Sequence, residues 1–151
     1  MPDNEQHTLS PRGAFDRLLD AASLISEDMR TALRADGLTT TRATVLFELA
    51  HRGPLTQRQL ADALRVTPRN VTTLVDALET GGFLRRTAHP DDRRAVSVEL
   101  TGTGRTAVER MDRDADALAR ELFGDLPPEQ LGVVVRTLDR VTARFRDAPS
   151  R

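Results

Sequence analysis

The chain has 151 residues, of which 38% are apolar and 30% charged, with a net charge of −1. This length predicts one domain, or one module with accessory helices. Cysteine and lysine are absent, which excludes disulfides, thiolate metal sites, cysteine-based redox sensing and the lysine chemistry of P-loops and Schiff bases. No apolar run approaches about 18 residues and the N-terminus is polar, so we expect a soluble, cytoplasmic protein.

The positive charge is concentrated in the middle of the chain. Residues 51–105 carry nine arginines and six acidic residues, whereas residues 1–50 have a net charge of −3 and residues 106–151 of −1. Salt confines surface fields to about 8 Å, so the local charge matters more than the total. All 22 residues counted as lysine or arginine are arginine. The guanidinium group binds guanine edges and phosphates well, although genome base composition also explains such a bias.

Two helices are predicted before this basic segment. Ser10 and Pro11 begin the first, as N-cap and first helical residue, and Gly37 ends it. Its apolar residues are spaced 3-4-3-4-3, at Phe15, Leu18, Ala22, Ile25, Met29 and Ala32. The second helix is predicted from about residue 41 to residue 52, where Gly53 stops it.

Two shorter helices separated by a tight turn are predicted next. Thr56 and Gln59 form a capping box at the start of the first, and Thr67 and Pro68 repeat the cap-plus-proline signal for the second. The second helix has an outward polar face of Arg69, Asn70, Thr72, Thr73 and Asp76. In the first turn of a recognition helix, arginine commonly binds guanine and asparagine binds adenine. The alternative is an ordinary solvated surface.

A β-hairpin is predicted to follow, with strands at about residues 83–87 and 94–100. The second strand alternates apolar and polar residues, at Val96, Ser97, Val98, Glu99 and Leu100. Arg93 and Arg94 near the tip suit the negative potential of a minor groove. DNA phosphates would repel the Asp92 carboxylate in a direct contact. We therefore interpret Asp92 as a brace that orients Arg94. The alternative is a bare exposed loop. The order helix, turn, helix, hairpin predicts a winged helix-turn-helix.

Two long helices are predicted after the hairpin. Thr101 caps the first, which runs to about Phe123, and a proline pair separates it from the last. Their stripes again follow heptad spacing, at Val108, Met111, Ala115, Leu118 and Leu122, then Leu131, Val134, Leu138, Val141 and Phe145. We interpret the N- and C-terminal stripes as a homodimer interface, with packing inside one chain as the alternative. All five phenylalanines are expected in the core, which leaves no stacking platform for single-stranded nucleic acid.

The predicted fold class is therefore mainly α with a small β-hairpin wing, a winged helix-turn-helix flanked by N- and C-terminal dimerisation helices. Its parts are a flexible N-terminus (1–9), N-terminal helices for dimerisation and support (10–53), the winged domain (54–101), C-terminal dimerisation helices (102–147) and a flexible tail (148–151).

Other chemistries find little support in the sequence. Residues 102–107 nearly match a dinucleotide-binding fingerprint, but the strand before them alternates and no second parallel strand follows. The three histidines are too scattered for a metal site, and no nucleophile elbow is present, so we expect no enzyme, cofactor or metal. His51 and Arg52, at a helix C-terminus, are candidates for an anionic ligand; the alternative is that they offset the helix dipole.

The hairpin and its flanks resemble one known family. The segment DRR at residues 92–94 precedes LT at residues 100–101, and GGFLRR occupies residues 81–86. With the flanking helices, this pattern resembles the MarR family of bacterial transcription regulators over nearly the whole chain. The spacing of the Asp-x-Arg wing and the Leu-Thr pair is the specific part, whereas a helix-turn-helix alone is common.

The resemblance implies a homodimer that binds a pseudo-palindromic DNA operator. Arg94 would enter the minor groove with Asp92 as its partner, and the recognition helix would begin near Thr67. A small aromatic or phenolic ligand, bound between the dimer helices and the winged domain, would release a repressor from DNA. An activator, a regulator without a ligand and a winged-helix protein-interaction module without DNA binding remain open.

Overall fold

The computed structural model describes residues 9–88 and 96–147, and over these ranges it contains six helices and three strands. The helices are α1 (Pro11–Arg34), α2 (Thr40–Arg52), α3 (Gln57–Leu64), α4 (Pro68–Thr80), α5 (Gly102–Phe123) and α6 (Pro128–Asp147). The strands are β1 (Leu55–Thr56), β2 (Leu84–Ala88) and β3 (Val96–Leu100). The predicted fold class is confirmed. Within the described ranges, no helix is long and apolar enough to cross a membrane.

Short polar side chains begin the helices, as predicted. The Ser10 hydroxyl accepts a hydrogen bond from the Gly13 N–H at 3.0 Å, and Pro11 is the first helical residue of α1. At α3 the capping box is complete: the Gln59 N–H donates to Thr56 Oγ1 at 3.2 Å, and the Thr56 N–H donates to Gln59 Oε1 at 2.8 Å. Each cap gives a partner to backbone groups that the helix leaves unpaired, which is worth about 1 kcal/mol.

The chain divides into two compact units, and the division falls inside α5, between Val108 and Glu109. The core of the first unit is built from α2, α3, α4 and the sheet. Its fully buried apolar side chains are Val45, Leu46, Leu60, Val71, Val75, Leu78, Leu84 and Val98. Full burial of such a side chain contributes about 1.5–3 kcal/mol, so Val71, Val75 and Leu78 on its inner face hold α4 in place.

The three strands form one antiparallel sheet in the order β1-β3-β2. The alternating pattern predicted β2 and β3 but not β1, because two residues are too few to show a period. The alternation predicted for β3 does not match the burial of its first two residues, since apolar Val96 is 50% exposed and polar Ser97 is only 1% exposed. Ser97 lies on the central strand, where it pairs with Thr56 of β1 and with Thr87 of β2.

The start of α5 is joined closely to the turn between α4 and β2. The Thr101 N–H donates to the Phe83 carbonyl at 3.0 Å, and the Thr101 hydroxyl donates to the Gly82 carbonyl at 2.6 Å while accepting the Gly104 N–H at 3.0 Å. A Cβ atom at Gly104 would lie 2.1 Å from the Phe83 oxygen. The small residues here serve this close approach, which accounts for the partial dinucleotide-binding pattern without a ligand.

The prediction that all phenylalanines lie in the core is wrong. Phe15, Phe123 and Phe145 are 44%, 37% and 69% exposed, and Phe47 and Phe83 are half-buried. The three exposed rings belong to the long helices α1, α5 and α6, which present apolar residues that the single chain does not cover. The chain therefore does expose aromatic rings, and the sequence-based argument against binding of single-stranded nucleic acid does not hold.

Candidate nucleic-acid interface

The outer face of α4 is exposed over its whole first turn. Thr67 is the N-cap, and its hydroxyl accepts the Asn70 N–H at 3.3 Å, while Pro68 is the first helical residue. Arg69 and Asn70 follow with exposed side chains that have no partner among the described residues. The two side chains predicted to read bases are thus available, while Thr67 is already engaged in shaping the helix end.

Two threonines continue this face one turn further along α4. The Thr72 hydroxyl lies 3.1 Å from both Gln57 Oε1 and the Pro68 carbonyl oxygen, and the Thr73 hydroxyl donates to the Arg69 carbonyl at 3.3 Å. Both residues are exposed. Gln57 was not singled out from the sequence, because a contact across 15 residues leaves no periodic signal. It connects the first turn of α3 to the face of α4.

Arg86 of β2 connects the hairpin to the outer and C-terminal part of α4. Its guanidinium forms ion pairs with Asp76 and Glu79, and the Glu79 carboxylate also accepts the Arg86 backbone N–H at 3.2 Å. The hydrogen bond to Asp76 is the main reason that the pKa of Arg86 lies above its ordinary value. Asp76, predicted as part of the outward face, is therefore ion-paired, although it shares the single positive charge of Arg86 with Glu79.

Arg86→Ala should lower the free energy of unfolding by about 1–2 kcal/mol, because two carboxylates lose a charged hydrogen-bond donor at a partly exposed site. The matched control is Arg85→Ala. It breaks a single ion pair, from Arg85 to Glu99 at 2.6 Å, in which the arginine is more exposed than Arg86. We expect that variant to lose about 0.5 kcal/mol or less. Urea unfolding of both variants makes the comparison, and equal losses would contradict a special role for Arg86.

Residues 89–95, which include Asp92, Arg93 and Arg94 of the predicted hairpin tip, lie outside the described residues. The expected wing contact and its brace therefore stay predictions. The described strands β2 and β3 lead directly into this segment on either side.

His51 and Arg52 lie in the last turn of α2, and both are exposed. His51 Nδ1 is 2.9 Å from the Phe47 carbonyl oxygen, and Arg52 Nε is 3.0 Å from Glu48 Oε2. These local contacts match the alternative of residues that complete a helix end. A ligand at this position would have to compete with them, and the ligand role stays a prediction.

Comparisons with known proteins agree with this geometry. The MarR family model matches residues 38–96, which include α2 to α4 and β2. The uncharacterised HTH-type transcriptional regulator YkoM of Bacillus subtilis is 30% identical over 133 residues, covering 87% of this chain and 86% of that protein. MhqR, an HTH-type transcriptional regulator of the same organism, is 29% identical over 117 residues, covering 78% and 81%.

Solved structures show the same fold. FabT of Streptococcus pneumoniae, determined in complex with DNA, superposes with a TM-score of 0.82 at 20% identity, covering 91% of this chain and 99% of that one. The transcriptional regulator Tm0710 of Thermotoga maritima gives a TM-score of 0.64 at 27% identity, covering 88% and 94%. The exposed helix α4 beside a three-stranded sheet, the family match and the relatives matched over most of their length agree. The chain belongs to the MarR family of transcriptional regulators.

Proposed function

We propose that this regulator is a cytoplasmic homodimeric repressor that binds double-stranded DNA sequence-specifically and is released by a small ligand. The observation that carries the DNA-binding part is the first turn of α4, where Arg69 and Asn70 stand exposed and unpartnered among the described residues. Arginine and asparagine form bidentate hydrogen bonds with guanine and adenine in the major groove. FabT, whose fold this chain shares, was solved with DNA bound.

In this proposal α4 lies in the major groove with Thr67 and Pro68 at its entry. Thr72 and Thr73 would approach a phosphate or a thymine methyl group from the next turn. Arg93 and Arg94 would contact the minor groove, with Asp92 orienting Arg94. Two subunits would present their α4 helices roughly 34–36 Å apart, one turn of duplex, which requires a pseudo-palindromic operator.

Dimerisation is supported by the apolar stripes that the single chain leaves uncovered. On α6 no residue is buried, and Leu131, Leu138 and Phe145 are 37%, 43% and 69% exposed. On α1, Phe15 and Met29 are 44% and 47% exposed. A monomer rarely exposes such contiguous apolar faces, whereas obligate homodimers bury them.

Repression and ligand release are the finer parts of the proposal. One relative, MdtR of Bacillus subtilis, is named a transcriptional repressor and is 27% identical over 107 residues. A small aromatic or phenolic ligand would release DNA only if it bound more tightly to an arrangement with the wrong spacing of the two α4 helices. His51 and Arg52 would meet an anionic group of such a ligand.

Arg69→Ala should weaken binding to the preferred operator by roughly tenfold or more and relax the base preference at one position of each half-site. The operator is first selected from a random duplex library, and affinity is measured by fluorescence anisotropy. Arg34→Ala is the control for loss of charge, since Arg34 is exposed in the last turn of α1, outside the helix-turn-helix.

Wild-type protein that binds every duplex equally would contradict sequence-specific recognition. Wild-type protein without any salt-dependent duplex binding would instead favour a winged-helix module for protein contacts. If Arg69→Ala and Arg34→Ala lose affinity equally, base reading by the first turn of α4 is wrong.

A further inference from the structure

The turn between α3 and α4 contains an unusual backbone conformation. Arg65, the C-cap of α3, has φ 54° and ψ 42°, and it is the only non-glycine residue with positive φ in the described ranges 9–88 and 96–147. Its N–H donates to the carbonyl of Asp62 at 3.3 Å, and the Val66 N–H donates to that of Ala61 at 3.1 Å. Glycine makes the same bonds without steric crowding, because it has no β-carbon. The backbone alone therefore gives no reason for an arginine here.

The Arg65 side chain is exposed and has no described partner. This is uncommon among the arginines of the first unit, because most of them are engaged. Those with a described hydrogen bond or ion pair are Arg12, Arg17, Arg30, Arg42, Arg52, Arg85, Arg86 and Arg105. Among the described arginines up to Val108, only Arg34, Arg58, Arg65 and Arg69 lack one, and three of these four lie on the helix-turn-helix.

The free arginines of the helix-turn-helix lie along its outer surface. Arg58 is in the first turn of α3, and Arg65 is the C-cap that follows its last helical residue, so the two lie at opposite ends of this short helix. Asp62 lies between them, is exposed and forms no ion pair with either within 4 Å. It is the only acidic residue between residues 57 and 75. The surface beside the start of α4 thus keeps an excess of positive charge.

We propose that Arg65, together with Arg58, binds backbone phosphates of the DNA and fixes the position of α4 in the groove. This inference rests on the proposed DNA-binding function and adds two contacts to it. In helix-turn-helix proteins the first helix crosses the DNA backbone while the second enters the groove, so the turn that joins them faces phosphate. Phosphate contacts set affinity and register without reading bases. A phosphate contact would account for an arginine in a backbone conformation that glycine adopts more easily.

Arg65→Gly separates this role from a structural one. Glycine suits the left-handed conformation, so the melting temperature should stay the same or rise. Affinity for the selected operator should fall about tenfold, and the slope of log K against log salt should become less steep by about one unit for each phosphate that is no longer neutralised. The preference among operator variants should not change. Arg65→Asn, which also tolerates this conformation, should behave in the same way, and Arg58→Ala should flatten the slope without affecting base preference.

Charge variants around Arg65 and the unmodified protein test the phosphate contacts further. Asp62→Asn should strengthen binding, because it removes the one negative charge between the two arginines, and Arg34→Ala should leave the slope unchanged. If Arg65→Gly binds with wild-type affinity and slope while Arg69→Ala is impaired, the phosphate role is wrong and the proposed function stands. If Arg65→Gly lowers the melting temperature, Arg65 serves the fold and the inference is overturned. If the wild-type protein binds no duplex, both proposals fall.

Discussion

Gly104→Ala is expected to lower the free energy of unfolding by about 3 kcal/mol, although alanine is normally the better helix former. The added Cβ would lie 2.1 Å from the carbonyl oxygen of Phe83 and 3.2 Å from Leu100 Cδ2. A carbonyl oxygen cannot rotate away as a flexible side chain does, so α5 must move from the turn that precedes β2. That movement would lengthen the hydrogen bonds from Thr101 to Gly82 and Phe83.

Gly102→Ala is the matched control, because it makes the same change in the same turn of α5. A Cβ at Gly102 meets nothing within 4 Å, so this variant should differ from wild type by about 0.5 kcal/mol or less. Urea unfolding followed by circular dichroism measures both. Similar stability of the two variants would contradict the close joint between α5 and the turn before β2.

In the proposed homodimer, Leu138→Glu is expected to separate the two subunits and to weaken operator binding by about a hundredfold or more. Leu138 lies on the apolar stripe of α6, is 43% exposed in the single chain and belongs to a helix without buried residues. A carboxylate there adds no strain to the isolated chain, but an unpaired charge inside a dimer interface costs several kcal/mol. Two linked α4 helices are expected to bind DNA about 10²–10⁴-fold more tightly than one.

Val133→Glu serves as the control on the same helix. Val133 is 54% exposed and lies about 140° around the helix from Leu138, so the same charge would stay in water. Sedimentation equilibrium and operator titration at matched concentrations compare the variants, with circular dichroism to verify helix content. A dimeric Leu138→Glu protein with normal affinity would show that the α6 stripe has another use.

The local features of this fold could be predicted because they depend on residues close together in sequence. The Thr56–Gln59 capping box and the Thr67 cap with Pro68 gave the starts of α3 and α4 to within one residue. The outward polar face predicted for α4 also implied which face would be buried, and Val71, Val75 and Leu78 lie there. Caps and helical periodicity act over three or four residues, so a single sequence contains them.

Features that depend on distant contacts were not predictable in the same way. Nothing in the sequence links Arg86 to Asp76 and Glu79, or Thr72 to Gln57, because such pairs are defined only after the sheet packs on α4. The heptad stripes show that α1, α5 and α6 are amphipathic, but they do not say what covers them. For the same reason the exposed phenylalanines were wrongly placed in the core.

The contact between Glu79 and the backbone of Arg86 also has a consequence for how copies of this protein can associate. β2 is an edge strand, and a free N–H on such an edge invites pairing with a strand of another molecule. The Glu79 carboxylate already accepts that N–H, so the position a foreign strand would take is occupied from within the chain. At this position the contact therefore opposes the addition of a strand at the β2 edge of the sheet and the aggregation that would follow.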